Sequence, residues 1–207
     1  MKPRLQRLAA SLTLALLALT FGACTTTSNR SGNAFDFDPP VTQPTNRSNV
    51  SIKLSTGAQR LYVVEGNKVL LATPIGVGTS ATPTPKGNFR VRNKVATRRR
   101  QSSPDAGYPI PFWIEFHSAS YGMHWGFLKP YPSTHGCIRM PLKSAKKVFN
   151  LVRVGTPINI SSSQPWDATI GKTLPVLDDS PLPNPPHSYM TSPKAMADIQ
   201  QGKLWNF

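Results

Sequence analysis

The stretch Ser133-Thr134-His135-Gly136-Cys137-Ile138-Arg139-Met140-Pro141, followed directly by Leu142-Lys143-Ser144-Ala145-Lys146-Lys147-Val148-Phe149-Asn150-Leu151-Val152, decides how the rest of the chain is read. In its second half Leu142, Ala145, Val148, Phe149 and Val152 share one stripe, so a single amphipathic helix is expected over 141–152. Gly155-Thr156-Pro157 stops it, and Ile158-Asn159-Ile160 reads as a closing strand. Upstream the apolar period is two. Val50–Leu54, Gln59–Val64, Val69–Gly78, Asn88–Val95 and Pro111–Phe116 all read as strands, with Phe112, Ile114 and Phe116 on one face. Glu65-Gly66-Asn67-Lys68 supplies hairpin chemistry between two of them. The expected fold class is mainly β, a sandwich or barrel-like domain over 50–160 with one principal helix after Cys137.

The same stretch carries chemistry. A thiolate attacks carbonyl carbon, and a free thiol is mostly protonated at neutral pH. An imidazole within reach takes the proton and later returns it to a leaving amine. His135 lies two residues before Cys137, and in an extended segment such residues face the same side. Gly136 leaves room for unusual backbone angles. Cys137 stands just before the predicted helix, whose start could help stabilise negative charge.

The N-terminus reads as an export signal over 1–23. Lys2, Arg4 and Arg7 precede an apolar run from Leu12 to Phe21 that is short for a bilayer span. Phe21-Gly22-Ala23-Cys24 resembles a bacterial lipobox, which makes Cys24 a candidate lipidation site and the membrane a partner. The chain has two cysteines. If Cys24 carries lipid, Cys137 is a lone thiol in an oxidising compartment, a liability unless it reacts. Residues 24–49, rich in Thr, Ser, Asn and Pro, read as the lipidated Cys and a flexible tether. Residues 161–207 read as a Pro-rich extension with a short helix near 193–203. The net charge of +15 suits anionic lipid or wall carboxylates better than nucleic acid in an exported protein. Arg98-Arg99-Arg100 reads as an exposed loop, with a substrate-binding role as the alternative.

Thr134-His135-Gly136-Cys137-Ile138-Arg139 resembles the signature of the YkuD family of L,D-transpeptidases. Val77-Gly78-Thr79 and Thr84-Pro85-Lys86-Gly87-Asn88-Phe89 resemble the family's upstream element. The resemblance covers about 50–160 and implies a YkuD-like catalytic domain with no cofactor and no metal. It implies peptidoglycan stem peptides as partners, Cys137 as nucleophile and His135 as general base and acid. Thr134, Gly136, Arg139, Trp125 and Tyr131 then become substrate-binding candidates, with Trp113, Tyr108 and Phe127 as further walls. The family also has an upstream His that lines the pocket, near a backbone carbonyl that orients the base. His124, 13 residues before Cys137, is favoured for it over His117, 20 before. Neither has the family's usual spacing. The implied reaction is a thioester with a tetrapeptide stem, passed to an amine in wall crosslinking or remodelling. The implied address is the periplasm, more outer than inner membrane because Thr25 and not an acidic residue follows Cys24. A monomer is expected. Competing readings are a carboxypeptidase on the same fold and a non-catalytic wall-binding lipoprotein. A zinc site from His117, His124, His135 and Cys137 matches no familiar ligand spacing.

Overall fold

The computed structural model describes residues 32–203, so the expected signal segment and Cys24 lie outside the described residues. The strands are β1 (Val50–Ser55), β2 (Arg60–Glu65), β3 (Lys68–Pro74), β4 (Gly87–Arg90), β5 (Asn93–Val95), β6 (Trp113–Glu115), β7 (Gly122–Trp125), β8 (Ile138–Met140) and β9 (Pro157–Ser161). One sheet runs β3-β2-β1-β9-β4 and the other β5-β6-β7-β8. The main helix, α1 (Leu142–Leu151), links β8 to β9. It buries Leu142, Ala145, Val148 and Leu151, and its buried Ser144 meets the Thr73 hydroxyl at 2.8 Å.

Alternation explains the inner faces. Ile52 and Leu54 of β1 join Ile114 of β6, Met123 of β7 and Ile138 of β8 in one core. β2 is buried on both sides. Its Leu61 and Val63 face that core, while Tyr62 and Val64 lie in a second cluster with Leu174 and Trp166. The expected single strand over 88–95 is two strands. Val91 donates to Thr156 and Arg92 to Glu115, so the backbone changes partner at that corner and passes from one sheet to the other.

Both flanks depart from expectation. Residues 32–49, expected as tether, lie along the domain. Ala34 is buried and Phe35 and Phe37 pack on apolar clusters. Asp38 pairs with Lys147 at 2.5 Å, and the Glu65 carboxylate accepts from the backbone of Thr45 and Asn46. Apolar anchors this regular hold the segment down. In the C-terminal extension the Tyr62 hydroxyl donates to Asp167 at 2.7 Å. Three short helices follow, α2 (Ile170–Thr173), α3 (His187–Thr191) and α4 (Pro193–Gln200). The last is the helix expected near 193–203, and its Ile199 enters the main core. No helix among the described residues is long and apolar enough to cross a membrane.

Candidate active site

The site is built on the outer face of the second sheet. β7 and β8 pair in parallel, with Met123 beside Ile138 and His124 beside Arg139. Met123 and Ile138 point into the core, so the alternating residues His124, Arg139 and Cys137 share the opposite face. All three line a cavity of about 580 Å³. β6 lies on the other side of β7, and its Trp113 stacks on His124. Gly122 is required there, since a Cβ would fall 2.5 Å from the Trp113 ring.

The Cys137 loop is held by the upstream motif. The buried Thr134 hydroxyl donates to the Cys137 carbonyl at 2.6 Å and accepts from the Gly136 amide at 3.1 Å. The Thr84 hydroxyl donates to the Gly136 carbonyl at 3.1 Å and accepts from Gly78 at 2.9 Å. Thr82 and Thr79 both donate to the Thr134 carbonyl. The two sequence motifs are therefore two halves of one hydrogen-bonded cradle. Gly136 sits at φ +104°, where a Cβ would also press on Tyr121 at 2.6 Å.

Two expectations about this loop need correcting. Gly136 at positive φ breaks the extended run on which the alternation argument rests, and His135 is exposed while lining the same cavity as Cys137. Nor does Cys137 abut the helix. β8 pairs with β7 first, and α1 begins only at Leu142.

His124 is buried, and its Nδ1 lies 2.5 Å from the Trp125 carbonyl. A carbonyl only accepts, so Nδ1 carries the proton and Nε2 keeps its lone pair. Burial pushes the His124 pKa down to about 4 against the pull of that carbonyl, with Arg139, Arg100 and Arg98 adding to the fall. The Cys137 Sγ–H donates to the Ser120 carbonyl at 3.4 Å. Burial raises the thiol's pKa, opposed by a backbone hydrogen bond from Gly122 and by Arg139, Arg100 and Arg98. Both shifts favour the uncharged forms, thiol at Cys137 and imidazole at His124.

Arg139 passes beneath Gly126, where a Cβ would meet its Cδ at 2.9 Å, and donates to the Phe127 carbonyl at 3.4 Å. Trp125, Phe127, Trp113 and Tyr108 line the cavity as expected. Tyr131 does not. It is 53% exposed on an outer loop between Pro130 and Pro132 and lies outside the lining. His117 is also exposed, edge-on to Phe89 and Tyr121, and outside the lining. Among the described residues no group of three or more His, Cys, Asp or Glu is placed to hold a metal.

The arginine run departs from the exposed loop favoured for it, and the structure gives it a place at the cavity. Arg98, Arg99 and Arg100 are half-buried and line the cavity. They sit on a lid formed by residues 96–112, in which Arg100 donates to Tyr108, Ile110 to Arg98 and Phe112 to Ala96. Arg98 lies over the Trp113 ring at 4.0 Å, and Arg100 pairs with Asp105 at 2.8 Å. The run alternates with nothing apolar, so no periodic signal marks it as a ladder.

Residues 49–160 match the YkuD family, described as the L,D-transpeptidase catalytic domain. The chain belongs to this family. The protein YkuD of Bacillus subtilis (strain 168) is 32% identical over 114 residues, covering 53% of this chain and 65% of the relative. YkuD of Bacillus licheniformis is 28% identical over 117 residues, with 54% and 64% covered. The chain thus spans just under two thirds of the length of these relatives. Among solved structures, the Ldtfm–avibactam carbamoyl enzyme is 28% identical with a TM-score of 0.50, covering 56% of this chain and 50% of that one. An L,D-transpeptidase from Stackebrandtia nassauensis is 20% identical with a TM-score of 0.49, covering 60% of each chain. The expected family and fold class are those found.

Proposed function

We propose that this protein is a peptidoglycan L,D-transpeptidase in which Cys137 is the nucleophile and His124 the general base and acid. One observation carries the choice of base: the Nδ1–H of His124 is fixed on a backbone carbonyl, leaving Nε2 free on the sheet face that bears Cys137. In this reading Nε2 takes the thiol proton. The sulfur bonds to the carbonyl carbon of the amide between the L-centre of diaminopimelate and the terminal D-Ala of a tetrapeptide stem. The C–N bond breaks, His124 returns the proton to the departing D-Ala amine, and a thioester remains. An amine of a second stem attacks that thioester, gives its proton to His124 and releases the thiolate, which is reprotonated. Arg139 and the lid arginines supply positive charge for substrate carboxylates. His135, at the cavity's edge, serves as a substrate contact. The avibactam carbamoyl enzyme of the solved relative is itself a covalent acyl-type adduct.

Incubation with tetrapeptide muropeptides should release D-Ala, and Cys137→Ala should abolish it; full release by that variant would refute the assignment. The lid and aromatic walls favour amine over water as acceptor by excluding solvent. Mass spectrometry separates the outcomes, since crosslinked dimers mean transfer and shortened monomers mean trimming.

The anchor belongs to the same proposal. Because residues 32–49 are packed on the domain, only residues 25–31 separate Cys24 from it, a span of at most ~25 Å. A lipid on Cys24 would hold the domain close to the membrane surface on the periplasmic side. Cys24→Ser should shift the protein to the soluble fraction, and unchanged fractionation would argue for a plain signal peptide.

A further inference from the structure

The cavity has a wall that the family match does not include. The match ends at residue 160, yet Asn184, Pro185 and Met190 line the cavity together with Cys137. They belong to an arm, residues 178–200, that is fastened at both ends. At its start the Asp179 carboxylate accepts from the Leu128 amide at 2.8 Å and the Ala34 amide at 2.7 Å. At its end Ile199 is buried in the main core.

Between these anchors the arm grips the lid. The Arg99 guanidinium donates to the Gly107 carbonyl within the lid at 2.5 Å and to two arm carbonyls, Met190 at 3.2 Å and Ser192 at 2.6 Å. A planar cation with several fixed donors suits three carbonyls brought together from the lid and the arm. Tyr108 packs against the Tyr189–Met190 cluster, and Gln200 donates to Ala96 at the lid's base. By contrast Asn184 is exposed and has no hydrogen bond among the described residues. Its carboxamide can both donate and accept, which matches the two halves of a peptide group.

We propose that the arm is the specificity wall of the site: Arg99 is the positioning residue that latches the lid onto it, and Asn184 contacts the backbone of the bound stem peptide. The identity of the peptide rests on the function proposed above, whereas the latch does not.

The test uses the full chain. Arg99→Ala should speed amide hydrogen exchange at Arg100, Gly107 and Ile110 by tenfold or more, leaving β1 and β2 unchanged. The same variant should raise KM for a tetrapeptide muropeptide while iodoacetamide reaches Cys137 faster. A general loss of structure would not separate those two readouts from exchange in β1 and β2. Asn184→Ala, combined with Cys137→Ala to stop turnover, should weaken muropeptide binding roughly 3- to 10-fold, the size expected for one or two lost hydrogen bonds. In a chain that keeps Cys137, Asn184→Ala should leave alkylation by iodoacetamide within about twofold, since that reagent is too small to need the arm. Unchanged lid exchange in Arg99→Ala, or unchanged binding in Asn184→Ala, overturns the inference. If the variants behave as expected but the natural chain releases no D-Ala, the reaction assigned above is wrong and the arm's role stands.

Discussion

The indole of Trp113 lies nearly parallel to the imidazole of His124, ring centroids 5.7 Å apart at 18°. Arg98 covers the Trp113 ring from the lid. With Nδ1 held by the Trp125 carbonyl, the imidazole is fixed both in its plane and in its tautomer. In the mechanism proposed above, a base that cannot rotate presents the same nitrogen at every turnover.

That arrangement ranks the two histidines. His124→Gln should lower the rate of D-Ala release by about 10²- to 10⁴-fold, the usual worth of a positioned base. His135→Ala should cost less than about tenfold, as loss of a rim contact would. Steady-state kinetics on the two variants decides the matter, and the reverse ranking would return the base role to His135.

Burial holds His124 at about 4 and raises the Cys137 thiol, so the free enzyme should hold little thiolate at neutral pH. Alkylation of Cys137 by iodoacetamide should keep climbing between about pH 7 and pH 10. A rate already on a plateau near pH 6 would mean a thiolate–imidazolium pair and contradict the neutral resting state.

The same buried imidazole makes stability pH-dependent. Unfolded, His124 binds a proton below its ordinary 6.5; folded, only below about 4. Across that window the unfolded chain holds more protons, so stability falls as pH drops from 6.5 toward 4. Chemical denaturation at several pH values should show His124→Gln with a flatter profile over this window. An equally steep profile would place the acid sensitivity elsewhere.

Gly122 sets the stack from below, its hypothetical Cβ 2.5 Å from the Trp113 ring. Gly122→Ala should displace the indole, cost about 1–3 kcal/mol as an overpacked site does, and slow D-Ala release beyond what the stability loss explains. Thermal unfolding with kinetics on the folded fraction would show both effects; a variant with full activity would mean the stack is dispensable.

The parts of this structure legible in the sequence are those with a short-range signal. Strand alternation and the stripe of α1 follow from side-chain period, and the Thr134–Arg139 and Thr84–Phe89 motifs meet in one cradle. Other parts depend on distant partners. Asn88–Val95 reads as one strand because nothing local tells that Val91 and Arg92 bond to different sheets. Tyr131 has the composition of a pocket wall, but its loop faces outward. Arg99 looks like a solvated charge until Met190 and Ser192 arrive from ninety residues away. Residues 32–49 have a tether's composition, yet Ala34, Phe35 and Phe37 find clusters to join.

β9 stands in the interior of the first sheet, parallel to β1 with Ile52 beside Ile158 and antiparallel to β4 with Phe89 beside Ile158. It is also the last strand in the described chain to be synthesised. Until residues 157–161 emerge, β1 and β4 each carry an unpaired edge and cannot join one another. The N-terminal meander of β1, β2 and β3 can form locally, but the sheet that closes the core must wait for a contact about a hundred residues away, which makes assembly slow and late. A growing chain therefore stays uncommitted through most of its synthesis, with its strand edges exposed to aggregation on the way.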